Sequence, residues 1–192
     1  MPEGISEQRD QMAAAVTGNK ILFAGGLILP GAPPTLSKTV DIYDVSTNTW
    51  STAQLSEARM SIAAAAAGNK VLFAGGYDGS GYSKTVDIYD AATNSWSTAQ
   101  LSEARTGLGA AAAGNKVLFA GGWNGTLSKT VDMYDVVTDK WSTAELSNAR
   151  HTLAGASAGD KIVFGGGIQY GGAGLQAKTV DIYDVQTGMW YH

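Results

Sequence analysis

The sequence predicts an all-β chain built from four repeated, four-stranded antiparallel sheets. The block Lys-Thr-Val-Asp opens at Lys38, Lys84, Lys129 and Lys178. Each copy runs on to a Tyr-Asp pair and, seven residues past the Tyr, to Trp50, Trp96, Trp141 or Trp190. Between these landmarks lie strand-length runs rich in Val, Ile and Tyr, residues that suit a pleated, half-buried surface. Glycine is 25 of 192 residues and proline only 4, a balance that points to many tight turns rather than to disorder.

Within one repeat the elements can be justified in order. The first strand is Ala-rich, Ser61–Ala67 in the second copy; such small side chains suit the innermost position, where strands converge. The second, Lys70–Ala74, ends at the pair Gly75-Gly76. The third, Thr85–Asp90, places Val86 and Ile88 on one face and Tyr89 on the other, because side chains alternate along a strand. The fourth starts near Trp96. Gly68-Asn69 and Gly114-Asn115 fall where a two-residue hairpin needs positive φ. The third and fourth strands are joined by Asp-x-x-Thr and then Asn48, Asn94, Asp139 or Gly188, residues that share a tolerance for left-handed backbone. Alanine alone would favour helix, but these Ala runs are short and Gly-bounded, so no helix is expected.

The repeats occupy approximately 9–58, 59–104, 105–149 and 150–192, within one domain. Only the segments between the Gly pair and Lys-Thr-Val-Asp vary freely, with 11, 7, 6 and 10 residues. One such sheet cannot cover both of its apolar faces; stacking copies side by side or around an axis does.

Composition narrows the chemistry. A net charge of −4 offers no basic field for nucleic acid or an anionic membrane. The absence of Cys removes disulfides, thiolate metal sites and cysteine nucleophiles. No apolar run approaches the roughly 18 residues of a membrane span. The start, MPEGISEQRD, has no signal-peptide core, which favours a cytoplasmic location. His151 and His192, the two histidines, lie in no metal-ligand spacing. Gly165–Gly174 lacks both the spacing and the following helix of a dinucleotide fingerprint. Asn124-Gly125-Thr126 fits a glycosylation sequon but reads better as an Asn-Gly turn. No metal or cofactor is expected.

The pattern of an opening Arg, Gly-Gly after a strand, then Tyr-Asp, then Trp resembles the kelch repeat, in phase from Arg9 to Trp190. The resemblance implies a β-propeller with one repeat per blade, in a family whose rings usually have six or seven blades. Some kelch propellers are enzymes. The copper-radical oxidases among them need a Tyr–Cys cross-link, which this chain cannot make. A cofactor-free, mutarotase-like activity is compatible with the composition, although no local motif points to its acid and base.

Two sets of candidate residues follow. Arg9, Arg59, Arg105 and Arg150 open every unit. They read either as a basic ring for an acidic ligand or, preferentially, as ties between neighbouring blades. The Tyr and Trp of each repeat are expected to pack between blades. The resemblance also implies that residues just after the Gly pair and just after the opening Arg line one mouth of the ring. Here these are Leu27, Tyr77, Trp123 and Ile168, and Asp10, Met60, Thr106 and His151, with Tyr82 and Tyr170 in the same variable loops. Aromatic residues at a loop mouth suit a protein, peptide or sugar surface; alternatively they cover the edge of their own blade. The expected function is a non-enzymatic binding module for a protein or peptide, with a glycan-binding or glycan-converting propeller as the rival.

Four blades must close on themselves, pair with a second chain, or belong to a larger propeller. The expectation is a homodimer, two chains joined by a two-fold axis into one eight-bladed ring. Aligned on Arg59, residues Met1–Gln8 match the segment that would follow the last blade, and an open half-ring would expose apolar blade faces.

Overall fold

The computed structural model describes residues 4–28, 35–169 and 176–192, and these contain strands and turns but no helix. Four four-stranded antiparallel meanders form the blades. Blade 1 comprises Ala13–Thr17, Lys20–Ala24, Thr39–Asp44 and Thr49–Gln54. Blade 2 comprises Ala63–Ala67, Lys70–Ala74, Thr85–Asp90 and Ser95–Gln100. Blade 3 comprises Gly109–Ala113, Lys116–Ala120, Thr130–Asp135 and Lys140–Glu145. Blade 4 comprises Ala154–Ala158, Lys161–Gly165, Val180–Asp184 and Met189–Tyr191. In each, the Ala-rich strand is innermost and the Trp strand outermost, and successive inner strands pack on one another.

The turns follow their chemistry. Gly68 and Gly114 both take φ 54° while the Asn after each does not go positive, as a type II′ hairpin requires. Asn48, Asn94, Asp139 and Gly188 take φ of 55, 53, 58 and 70°. The Tyr of the repeat helps hold that turn: the Tyr89 hydroxyl donates to Asn94 Oδ1 at 2.9 Å, and the Tyr43 hydroxyl to Asn48 Oδ1 at 2.6 Å. The inner strand of blade 2 begins at Ala63 rather than Ser61. Ser61 is itself left-handed at φ 52°, as are Gln11, Gly107 and Thr152 at the matching positions.

Three apolar clusters fill the junctions, and all three are built alike. The Leu/Val/Ile face of one blade meets the Phe/Tyr face of the next: Leu22, Val40 and Ile42 against Phe73 and Tyr89; Leu72, Val86 and Ile88 against Phe119 and Tyr134; Leu118 and Val131 against Phe164 and Tyr183. Leu55, Leu101 and Leu146, from the link into the next blade, seal the same clusters. The tryptophans depart from full burial. Trp96, Trp141 and Trp190 are half-buried at the outer rim of these junctions, because the outermost strand has solvent beyond it. Each leans on the Tyr of its own repeat with ring centroids 4.9–5.1 Å apart.

Candidate functional site

Two groups of sequence candidates have to be placed: the arginines and the loop residues. The arginines lie in the junctions. Arg59, Arg105 and Arg150 are fully buried, and Arg9 nearly so. The Arg59 guanidinium donates to the carbonyls of Gly75 at 2.6 Å and Thr85 at 2.8 Å and pairs with Asp87, all in blade 2. Its backbone serves blade 1 instead: the Arg59 N–H donates to Ser37 O at 3.2 Å, and its carbonyl accepts from Gly26 N–H at 2.8 Å. Arg105 repeats this arrangement between blades 2 and 3, its guanidinium pairing with Asp132 and donating to Thr130 O at 2.8 Å. Arg150 lies between blades 3 and 4 and pairs with Asp181 at 2.5 Å. Burial pulls the Arg59 and Arg105 pKa values down, opposed by Asp87 and Glu57 in one case and by Asp132 and Glu103 in the other. A guanidinium starts so high that it stays charged. These side chains are consumed by the scaffold, which favours the tie over the ligand-binding ring.

The Gly pair belongs to the same device. Gly75 and Gly76 take φ of 67 and 102°, and a Cβ on Gly75 would come within 2.5 Å of Arg105 O. Glycine is required there so that the next blade's Arg carbonyl can approach the chain.

The loop candidates come together in short ladders. Asp10 pairs with Leu27, Met60 with Tyr77, Thr106 with Trp123, and His151 with Ile168. The two sequence-derived sets therefore meet residue by residue along one face. Tyr77 pairs onward with Tyr82. All are half-buried except Asp10 and Tyr82, which are exposed. Tyr170 lies outside the described residues.

Within this face one stretch is distinct. Tyr77 and Tyr82 meet edge to face with centroids 6.3 Å apart. Trp123 Nε1 donates to the Tyr82 hydroxyl at 2.9 Å, and its indole meets the His151 ring edge-on at 5.9 Å. Four rings from three repeats thus form one band. A cleft of about 460 Å³ lies on one side of Trp123, lined by Ser61, Thr106, Thr152 and His151. Another of about 390 Å³, lined by Leu127, Asn148 and Gln169, also borders Trp123. His151 Nδ1 is 2.7 Å from Thr152 Oγ1. Sequence reasoning missed Thr152 and Ser61; their left-handed backbone turns them toward the cleft, and no residue pattern announces it. Asn124 is held in a turn, its Oδ1 accepting from the N–H and hydroxyl of Thr126 at 3.1 and 2.9 Å. Among the described residues no group of three His, Cys, Asp or Glu is placed to hold a metal ion, and no helix is long and apolar enough to cross a membrane.

Comparison with known proteins agrees with this architecture. No curated protein matches the sequence significantly. Among solved structures, "Structure of YjhT" superposes with a TM-score of 0.75 at 17% identity, covering 98% of this chain and 70% of that one. The model of the KLHDC2/KLHL20/DRC7 Kelch-repeats domain matches residues 3–167. With the Gly pair, the Arg–Asp pair and the Tyr/Trp rim repeated at each junction, the chain belongs to the kelch-repeat family of β-propellers.

Proposed function

We propose that this kelch propeller is a non-enzymatic binding module that takes a protein or peptide on its loop face, on a scaffold of two chains arranged as an eight-bladed ring. The observation that carries the binding reading is the aromatic band Tyr77–Tyr82–Trp123–His151. Trp and Tyr give large contact area for little lost side-chain freedom and are enriched at binding hot spots. Here they are tethered to one another and flanked by two open clefts. The band also draws on positions that differ between copies, whereas the junction residues repeat. A second reading, a glycan-binding or cofactor-free sugar-converting surface, is favoured by the hydroxyls of Ser61, Thr106 and Thr152 beside the indole.

Peptide and glycan arrays probed with the purified protein separate the two. Peptide hits that vanish in Trp123→Ala support the first reading. A list containing sugars alone transfers the band to the second.

A further inference from the structure

The junctions are clamps with two halves, and the chain carries one unused half at each end of its arc. In each internal junction, the Leu-Ser-Glu/Asn-Ala-Arg link holds both neighbours. Toward the following blade, the Ser56 N–H donates to Asp87 Oδ1 at 2.8 Å, Glu57 accepts from Ser83 Oγ at 2.5 Å, and Arg59 reaches Asp87. Toward the preceding blade, the Leu55 N–H donates to Lys38 O at 2.7 Å, and the Arg59 backbone bonds Ser37 and Gly26. The Leu55 methyl also comes within 3.5 Å of where a Gly25 Cβ would lie.

Ile5-Ser6-Glu7-Gln8-Arg9 is the same link. Its forward half is engaged: the Ser6 N–H donates to Asp41 Oδ1 at 3.0 Å, Glu7 accepts from Ser37 Oγ at 2.7 Å, and Arg9 pairs with Asp41. Its backward half is idle. Ile5 is 36% exposed, where Leu55, Leu101 and Leu146 are 2–3%. It overlooks a cleft of about 590 Å³ shared with Trp50 and Asp41.

Blade 4 presents the complementary vacancy. Gly166 has no link residue near it among the described residues, whereas Gly25, Gly75 and Gly121 each face a Leu at 3.4–3.5 Å. Val180 is 44% exposed where Val40, Val86 and Val131 are 0%. Ala154, Ala156 and Ala158 are exposed where their counterparts Ala63, Ala65 and Ala67 are buried. Blade 1 leaves the opposite type of face open: Val16 is 57% exposed, and Phe23 and Tyr43 are half-buried where Phe73 and Tyr89 are sealed. The open face of blade 4 is the Leu/Val/Ile type and that of blade 1 is the Phe/Tyr type. Those two types form every internal junction, and within one chain they remain apart.

We infer that the occupant of each open face is a second copy of this chain, with the Ile5–Arg9 link of each clamped on the Gly166-Gly167 corner of the other and blade 1 stacked on the partner's blade 4. This rests on the two-chain scaffold and specifies its contact. Ile5 enters the position Leu146 holds one blade earlier, and its N–H meets Lys178 O. The Arg9 carbonyl accepts from Gly167 N–H, and Phe23 and Tyr43 cover Val180 and Ile182. Each junction is head-to-tail, and with four blades spanning half of an eight-bladed circle two such junctions close the pair about a two-fold axis.

The test is mass by light scattering on the purified protein, with Ile5→Asp and Val180→Asp beside the wild type. Twice the 19.9 kDa chain mass is expected for the wild type at micromolar concentration. The chain mass is expected for each variant, with an unchanged far-ultraviolet circular dichroism spectrum, because both side chains are partly exposed in the single chain. A wild-type protein at the chain mass overturns both the pairing and this junction. A dimer that survives both substitutions overturns the junction and leaves the two chains joined elsewhere. Loop-face binding is scored separately by the Trp123→Ala array signal.

Discussion

A guanidinium sealed from water is tolerable only when fixed acceptors face it, because an unpaired buried charge costs several kcal/mol. Arg105 meets that condition through Asp132 and the Gly121 and Thr130 carbonyls. Arg105→Ala therefore strands Asp132 and should cost about 3–5 kcal/mol. Arg105→Lys should recover only part, since an ammonium lacks the planar fork; urea denaturation measures both. The carboxylates that accept from the turn after each third strand carry a pH signature. Hydrogen bonds from Lys116 and from Ser46 and Lys20 hold Asp135 and Asp44 well below the usual carboxylate range, and one from Lys161 lowers Asp184. Their unfolded counterparts titrate at about 3.9. The unfolded chain therefore takes up protons first as pH falls, and stability is lost in the acid direction. The melting temperature should be insensitive to these groups from pH 7 to about 5 and decline below about 4. A flat profile down to about pH 2 would contradict the ion pairs. On the loop face, Trp123→Ala should leave the melt nearly unchanged and abolish binding, whereas Trp96→Ala, half-buried, should cost about 2 kcal/mol, less than the ~3–5 of a fully enclosed ring.

At the scale of the element, the junction explains which parts of a blade were legible from residues alone. The third strand and its following turn were, because their requirements are local: a period-two apolar pattern, and at Asn48, Asn94, Asp139 and Gly188 a residue that accepts positive φ. The start of the inner strand was not. Gln11, Ser61 and Thr152 share no chemistry that favours left-handed backbone. Contacts between neighbouring copies impose it: the Ser61 N–H donates to Gln11 O at 3.1 Å and the Thr152 N–H to Gly107 O at 2.7 Å. The loop face was half legible: the kelch resemblance grouped Met60, Tyr77, Thr106 and Trp123, while the pairing of Met60 with Tyr77 and of Thr106 with Trp123, and the Trp123–Tyr82 hydrogen bond, depend on how adjacent loops lean. The Gly pair provides a direct test of the close approach. Gly75→Ala puts an alanine at φ 67° against Arg105 O. The backbone strain alone should cost about 1–3 kcal/mol, and the contact adds to it. Gly81→Ala, with nothing within 4 Å and no positive φ, should be neutral. If both substitutions shift the denaturation midpoint equally, the approach is not what selects glycine.

Across the whole molecule, cover is uneven in a way that follows from the arc. Blades 2 and 3 are packed on both faces, and blades 1 and 4 on one. Blade 4 shows the consequence most fully: its inner strand is exposed at Ala154, Ala156, Ser157 and Ala158, while Ile162 and Phe164 remain sealed on the blade 3 side. Opening such a blade uncovers less apolar surface than opening a central one, so its free energy of local unfolding should be lower. Amide hydrogen exchange reads that difference strand by strand. In Ile5→Asp, expected to be a single chain, the amides of Ala154–Ala158 should exchange faster than those of Gly109–Ala113. If a partner's blade 1 supplies the missing face in the wild type, the two strands should converge in protection as concentration rises. Protection of blade 4 that equals blade 3 in the single chain would mean that the open face contributes little to its stability, and that burial on the blade 3 side alone holds the last blade in place.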